Sequence, residues 1–257
     1  MKQNITLISD WRIKDPYLSL FKNQLNQEIP DNLTYDISHG IAFGMISQAA
    51  FILKNSYSQK KKKSIHIILV ANSFNSAKTP ILVEYDNHYF LGEDTGIFSL
   101  IVKNTPYKAY KFRFLPKEKD FLSNLILMAK WASNEDLNNN VVEYNEMKIQ
   151  HSEEYSYYKS DHTISGKIVY IDAYHNAITN IPADIFRDLT KNKTFKATIG
   201  EFDQIVVHRF HEYYNAQEPE IYLVANRMGY IEITMYNGNV SILANLQLND
   251  KINITIN

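Results

Sequence analysis

Two apolar runs, Ile5 to Ile8 and Ile65 to Val70, leave this chain few ways to fold. Consecutive apolar positions suit strands buried on both faces, which is the condition of a parallel sheet covered by helices. Between the runs, Asp15 and Pro16 form an N-cap and first-turn pair, and Leu18, Phe21, Leu25 and Ile29 recur at helical spacing. A short alternating strand (Leu33, Tyr35, Ile37) and a second helix with inner face Ile46, Ala49, Ala50 and Leu53 follow. This β-α-β-α-β order predicts an α/β N-terminal domain with a largely parallel sheet flanked by helices and its loops gathered at one edge. Ligands in such sheets sit at the carboxyl ends of the strands. There the stretch "ILVANSFNSAK", 68 to 78, breaks into small polar residues, with no carboxylate, histidine or glycine among them.

Beyond it, residues 80 to 92 read as a hairpin turning at Asp86 and Asn87, "YKAYKFRF" as a strand, and about 119 to 133 as a third helix. "NEDLNNN" breaks that pattern, and the polar, tyrosine-rich stretch from 149 to 165 reads as a linker. After Gly166 come short strands with turn signals: "GKIVYID", "TFKATIG", "QIVVHRF", "EIYLVAN", "GYIEITMYNGNVSIL" and "KINITIN", with one helical turn near "PADIFRDL". The organisation expected is an α/β domain over 1–150, a linker over 151–165, and a smaller antiparallel all-β domain over 166–257.

With 27 basic and 28 acidic side chains, the chain has no long-range field to draw in nucleic acid or an anionic membrane, and neither is an expected partner. The absence of cysteine excludes disulfides and thiol chemistry. Ile5 to Ile8 is too short for a signal-peptide core or a membrane span, so a cytoplasmic location is expected. Lys60 to Lys63 reads as a solvated loop, and no phosphate loop, metalloprotease helix or zinc spacing occurs.

Among candidate residues, His208 and His211 fall on opposite faces of an expected strand, which disfavours a shared metal. His39 suits a backbone hydrogen bond at a strand-to-helix turn. In "YIDAYHNAITNI", Asp172, Asn176, Thr179 and Asn180 supply four hydrogen-bonding side chains where a turn needs one. Asp15 has a sufficient reason as a helix cap, about even with a binding role. Asp10, at the tip of the first strand, has no such reason and is placed to accept both hydroxyls of a ribose.

Five segments in register, "ITLISDWRIKDPYLSLFK", "YDISHGIAFGMISQAAFIL", "YFLGEDTGIFSLI", "GKIVYIDAYHNAITNI" and "ANRMGYIEITMYNGNVSIL", are similar to the S-adenosylmethionine hydroxide adenosyltransferases, relatives of the fluorinating and chlorinating enzymes. The resemblance runs almost end to end. It implies a homotrimer whose sites lie between one subunit's first domain and its neighbour's second, with S-adenosylmethionine as substrate or ligand and no cofactor. Water attacks the ribose C5′ in this branch, and the sulfonium leaves as neutral methionine. By position, the resemblance implies Asp10 for the ribose diol, Asp15 and Asp172 for the methionine ammonium, Asn176 for the adenine edge and Tyr174 for stacking. Asn226 matches the family pattern, while Arg227 stands in place of a serine, where it could take the substrate carboxylate or block the pocket.

The water-activating set departs from the family. The aspartate after the third strand is Ala71, the arginine seven residues later is Lys78, and the histidine before an Arg-Asp pair is Lys117. Alanine cannot accept a proton, and an ordinary lysine of pKa ~10.4 is protonated at neutral pH. A register slip would put Asn72 at the acid position and restore no carboxylate. The insertion of the halogenating branch is absent, since "SAKTPILV" passes straight into the next strand. Three readings follow: an enzyme activating water by other residues (Ser73, Ser76 or a pKa-shifted Lys78), a protein that binds S-adenosylmethionine or adenosine without turnover, or a trimeric scaffold. Trp11, His175 and Arg227, at normally smaller positions, favour the third.

Overall fold

The computed structural model describes residues 3–73, 78–102, 106–116, 118–134, 136–151, 155–200, 205–212, 214 and 219–257. The chain divides into two compact units, 1–152 and 153–257.

The first unit contains β1 (Gln3–Ser9), α1 (Tyr17–Glu28), β2 (Asn32–Ser38), α2 (Ile46–Lys54), β3 (Ile65–Leu69), β4 (Ile81–Tyr85), β5 (His88–Gly92), α3 (Ile97–Val102), β6 (Lys108–Phe112), α4 (Phe121–Ser133), α5 (Leu137–Asn140) and β7 (Val141–Glu143). Its seven strands run in the order β2-β1-β3-β5-β4-β6-β7. The pairs β2–β1, β1–β3 and β3–β5 are parallel, whereas β5–β4, β4–β6 and β6–β7 are antiparallel. The sheet is therefore mixed, not largely parallel. The hairpin at Asp86–Asn87 sets β4 antiparallel to β5, and β4, β6 and β7 then alternate in direction.

Both faces are covered. Ile5, Leu7, Ile65, Ile67 and Leu69 pack with Leu18, Phe21 and Leu25 of α1 and Phe121, Leu125 and Ala129 of α4. Ile8, Ile68 and Val70 pack on the other side with Ala49, Ala50 and Leu53 of α2 and Ile97, Phe98 and Ile101 of α3. Side chains alternate across a strand, so a strand with two apolar faces has to be apolar at successive positions. Helix α1 starts at Tyr17 without a side-chain cap, so Asp15 does not cap it. Asp120 caps α4 instead, accepting the Ser123 N–H at 2.7 Å.

The second unit contains β8 (Ser156–Tyr158), β9 (Thr163–Ile171), β10 (Ala177–Pro182), α6 (Ala183–Thr190), β11 (Phe195–Ile199), β12 (Ile205–Val207), β13 (Phe210–His211), β14 (Ile221–Ala225), β15 (Tyr230–Met235), α7 (Val240–Leu243) and β16 (Lys251–Ile256). The sheet runs β12-β11-β16-β9-β10-β15-β14-β13, with β8 also on β9. It curls: Ala197 of β11 and Ile233 of β15, well separated in that order, share one core. Strand β16 alternates exposed and buried residues along its whole length, as a sheet with one wet face requires. Two features depart from an antiparallel all-β reading. β13 pairs parallel with β14, and α7 is a helix in residues read as the continuation of a strand, while α6 lies where a helical turn was expected. The stretch read as a linker carries β8 and the start of β9.

Candidate functional site

The parallel register brings four strand ends into one row. Ile8 lies opposite Ser38, Ser9 opposite Leu69, and Ile68 opposite Gly92. The residues that follow, His39, Asp10, Ala71 and Glu93, therefore line the carboxyl edge of β2, β1, β3 and β5. This is where a switch from parallel strand to loop exposes backbone groups to ligands.

Asp10 is largely buried. Its Oδ2 accepts the N–H of Gly44 at 2.9 Å and of Ala71 at 3.0 Å, while among the described residues no donor reaches Oδ1. Both donors sit in left-handed backbone, Gly44 at φ 70° and Ala71 at φ 55°. Glycine adopts that region freely, and alanine pays a steric cost there. Trp11 packs edge-on to Phe21, with ring centroids 6.0 Å apart. Beside Asp10, Ser9 Oγ lies 2.7 Å from His39 Nδ1, and His39 Nε2 lies 3.2 Å from Asp36 Oδ1. Ser9 is fully buried, so its pairing with His39 orients the β1 tip instead of attacking a substrate.

Glu93, not among the candidate residues read from the sequence, sits next to Ala71's loop. Its Oε2 accepts the Ser73 N–H at 2.8 Å and the Ser73 hydroxyl at 3.0 Å, and Lys78 Nζ lies 3.6 Å from Oε1. Gly92 makes this approach possible, because a Cβ there would lie 2.8 Å from the Ile68 carbonyl oxygen. The neighbouring Asp94 is taken up by the fold, accepting from Tyr144 Oη at 3.0 Å, Lys148 N at 2.8 Å and Gly96 N at 3.2 Å. Burial first, then Asp94's charge, push the Tyr144 phenol up to about 12. Asp15 stands apart from this row. It is exposed and lines a shallow groove of about 360 Å³ with Ile13, Leu18, Ser19 and Lys22. Lys117 and Ser76 lie outside the described residues, so the convergence of Lys78 with Lys117 is not described.

In the second unit, Asp172 and Asn176 build the β9–β10 turn. Asp172 Oδ1 accepts the N–H groups of Tyr174 and Asn176 at 2.8 and 2.9 Å, and Oδ2 accepts the Asn176 amide at 3.2 Å. Asn176 Oδ1 in turn accepts the Thr234 hydroxyl at 2.7 Å. Thr179 and Asn180 are likewise bonded, to the Ile231 carbonyl and the Lys167 N–H. All four polar residues of the segment thus have structural partners, more than a turn alone needs because Asn176 and Thr179 bond to β15 and Asn180 to β9. Tyr174 stands out from this frame, 77% exposed, and His175 holds a left-handed backbone at φ 63°.

Asn226 shapes the β14–β15 turn, its Oδ1 accepting Met228 N and Tyr230 N, both at 3.0 Å. Its amide donates to Glu232 Oε2 at 3.1 Å, and Tyr214 Oη donates to Oε1 at 2.9 Å. Burial raises the Glu232 carboxyl above its ordinary value, against the lowering effect of these two donors. Arg227 is exposed at the hairpin tip.

Residues 5–152 match the SAM hydroxide adenosyltransferase N-terminal domain, and residues 166–253 match the C-terminal domain. The chain is 25% identical, over 97% of its length and 95% of the relative's, to the (R)-S-adenosyl-L-methionine hydrolase of Methanocaldococcus jannaschii. It shares its fold with a conserved protein of Thermotoga maritima at TM-score 0.85 and 17% identity, covering 98% of this chain and 99% of that one. A conserved protein of Thermus thermophilus follows at TM-score 0.73 and 16% identity, covering 99% and 100%. With both domain models matched in order and spanning most of its length, the chain belongs to the SAM hydroxide adenosyltransferase family.

Proposed function

We propose that the protein binds S-adenosylmethionine and hydrolyses it to adenosine and methionine by attack of water at C5′. The observation that carries this reading is the seat of Asp10: a largely buried carboxylate fixed by two backbone N–H groups through one oxygen, with the other directed to no protein donor among the described residues. A ribose diol needs such a pre-positioned acceptor. In the reaction the C5′–S bond breaks with its electron pair going to sulfur, so no charged leaving group has to be stabilised, and the work left is positioning substrate and water. Asp10 holds the diol, Tyr174 stacks on adenine, and Asn176 reads its edge. Asp15 and Asp172 serve the methionine ammonium, and Asn226 and Arg227 the carboxylate end. Lys78 and Lys117 stand at two family positions of the water-activating set.

A homotrimer with ligand sites shared between neighbouring subunits goes with this reading, as does an antiparallel β character for the second domain. The name of the M. jannaschii relative points to the sulfonium epimer as a variable, so both epimers are to be tested. Titration in a calorimeter, with adenosine release followed by chromatography, tests the proposal. Saturable binding with continuing release is expected. Binding without release would give the reading of an inactive S-adenosylmethionine-binding protein, and no binding of either epimer would overturn the proposal.

A further inference from the structure

The edge that holds Asp10 also contains the carboxylate missing at Ala71, supplied by a different strand. Glu93 follows β5, the next strand but one from β1 across β3. At ordinary strand spacing the tips of β1 and β5 are roughly 9–10 Å apart. That interval accommodates a ribose held at one end and a water in line with its C5′ at the other. Ala71, between them, presents only a methyl group.

Glu93 is 7% exposed, and burying a carboxylate is costly unless it is hydrogen-bonded and paired. As a staple for the loop after β3, the neutral amide of a glutamine could take the Ser73 N–H equally well. The charge has one cationic neighbour among the described residues, Lys78, whose Nζ is 3.6 Å from Oε1 and whose side chain is 46% exposed. Ser73 N–H and Oγ fix the other oxygen, and the Oγ also lies 3.2 Å from Oε1. The carboxylate is thus held at the substrate edge by two donors on the very loop that lost the family acid.

Resting on the hydrolytic reading above, we propose that Glu93 is the catalytic base of this chain, oriented by Ser73 and Lys78 as positioning residues. As the water oxygen forms its bond to C5′, one water proton passes to the Glu93 carboxylate and later to solvent. The C5′–S bond breaks towards sulfur, and the products are adenosine, neutral thioether methionine and one proton. Lys78 acts as a cation beside the base and takes no proton.

The test compares wild type, Glu93→Gln, Glu93→Asp and Ser73→Ala, each by S-adenosylmethionine affinity, adenosine release and the pH dependence of release. Glu93→Gln should bind within about threefold of wild type and lose about 10²-fold or more in kcat. The acid limb of its pH profile should vanish, whereas Glu93→Asp should keep that limb and recover part of the rate. Ser73→Ala leaves the carboxylate in place and should lower kcat without raising KM, which provides the test should the glutamine variant not fold. Release by Glu93→Gln at the wild-type rate would overturn the assignment and leave the proposed function standing. A wild type that binds but does not release adenosine would overturn the base while keeping the binding site. A wild type that binds neither epimer would overturn both.

Discussion

Asp10 Oδ2 accepts the backbone N–H of Ala71 at 3.0 Å, and the same oxygen accepts Gly44 N at 2.9 Å. One carboxylate thereby fixes the end of β3 and the loop before α2, and also offers its second oxygen to a ligand. The two functions separate by substitution. Asp10→Asn keeps an oxygen for the N–H groups but loses the charge and half the acceptor capacity. It should melt near wild type while S-adenosylmethionine affinity falls about tenfold or more. Asp10→Ala also strands two N–H groups, at about 1–3 kcal/mol each, and should lose stability as well as binding. Thermal melts beside calorimetric titrations check this; an asparagine variant with wild-type affinity would remove Asp10 from the site.

Ala71 holds φ 55°, where a Cβ costs roughly 1–2 kcal/mol. Glycine has no such cost, aspartate and asparagine tolerate the region, and a β-branched residue suits it least. The expected stability order in urea is Ala71→Gly at or above wild type, Ala71→Asp close to it, and Ala71→Val below both. A valine variant as stable as the glycine one would show that the left-handed conformation is not kept. The left-handed backbone at position 71 thus suits aspartate better than a β-branched residue.

The parts of the fold legible in sequence were those with a long period or a long run. Ile65, Ile67, Ile68, Leu69 and Val70 are apolar because both faces are covered, and Leu18, Phe21 and Leu25 recur because one face of α1 is. Helix α3 escaped because all but one of its six residues are buried, which erases the period. Helix α7 escaped because four residues show no period at all. Asp10 was visible as a carboxylate at a strand tip. Glu93 was not, because its partners Ser73 and Lys78 are brought to it only by the parallel pairing of Ile68 with Gly92. Asp172 and Asn176 stood out as an excess of hydrogen-bonding groups, but their mutual bonds depend on the turn they close.

His66 is fully buried, with Nδ1 2.7 Å from Thr6 Oγ1 and Nε2 3.1 Å from His88 Nδ1, against the rings of Tyr57 and Phe90. Burial first, then the charges of His88 and Lys60, push its pKa down to about 3. The unfolded chain would bind a proton near its ordinary value of 6.5, and the folded site refuses it until about pH 3. Stability contributed by the neutral ring is therefore complete above pH 6.5 and lost as pH falls through that window, with a ceiling of roughly 5 kcal/mol. Urea midpoints should decline from about pH 7 to about pH 4, and His66→Gln should flatten the decline. An equal slope in the variant would assign the acid sensitivity to other groups.

Glu232 is 2% exposed, and burial raises its carboxyl above the ordinary value of 4.5, helped by Asp172's charge and opposed by Tyr214 and Asn226. The unfolded chain therefore ionises first as pH rises, and stability falls as pH rises above 4.5. Glu232→Gln removes that cost. Its amide oxygen can accept from Asn226, and the Tyr214 hydroxyl can turn to accept from the amide nitrogen. The variant should melt above wild type at neutral pH, with about 2–4 °C for each kcal/mol recovered in a chain of this size. Below about pH 4, where both states of the wild type are protonated, the gain should vanish. A glutamine variant that melts lower at neutral pH would mean that the ionised carboxylate and its two donors together outweigh the desolvation that burial imposes.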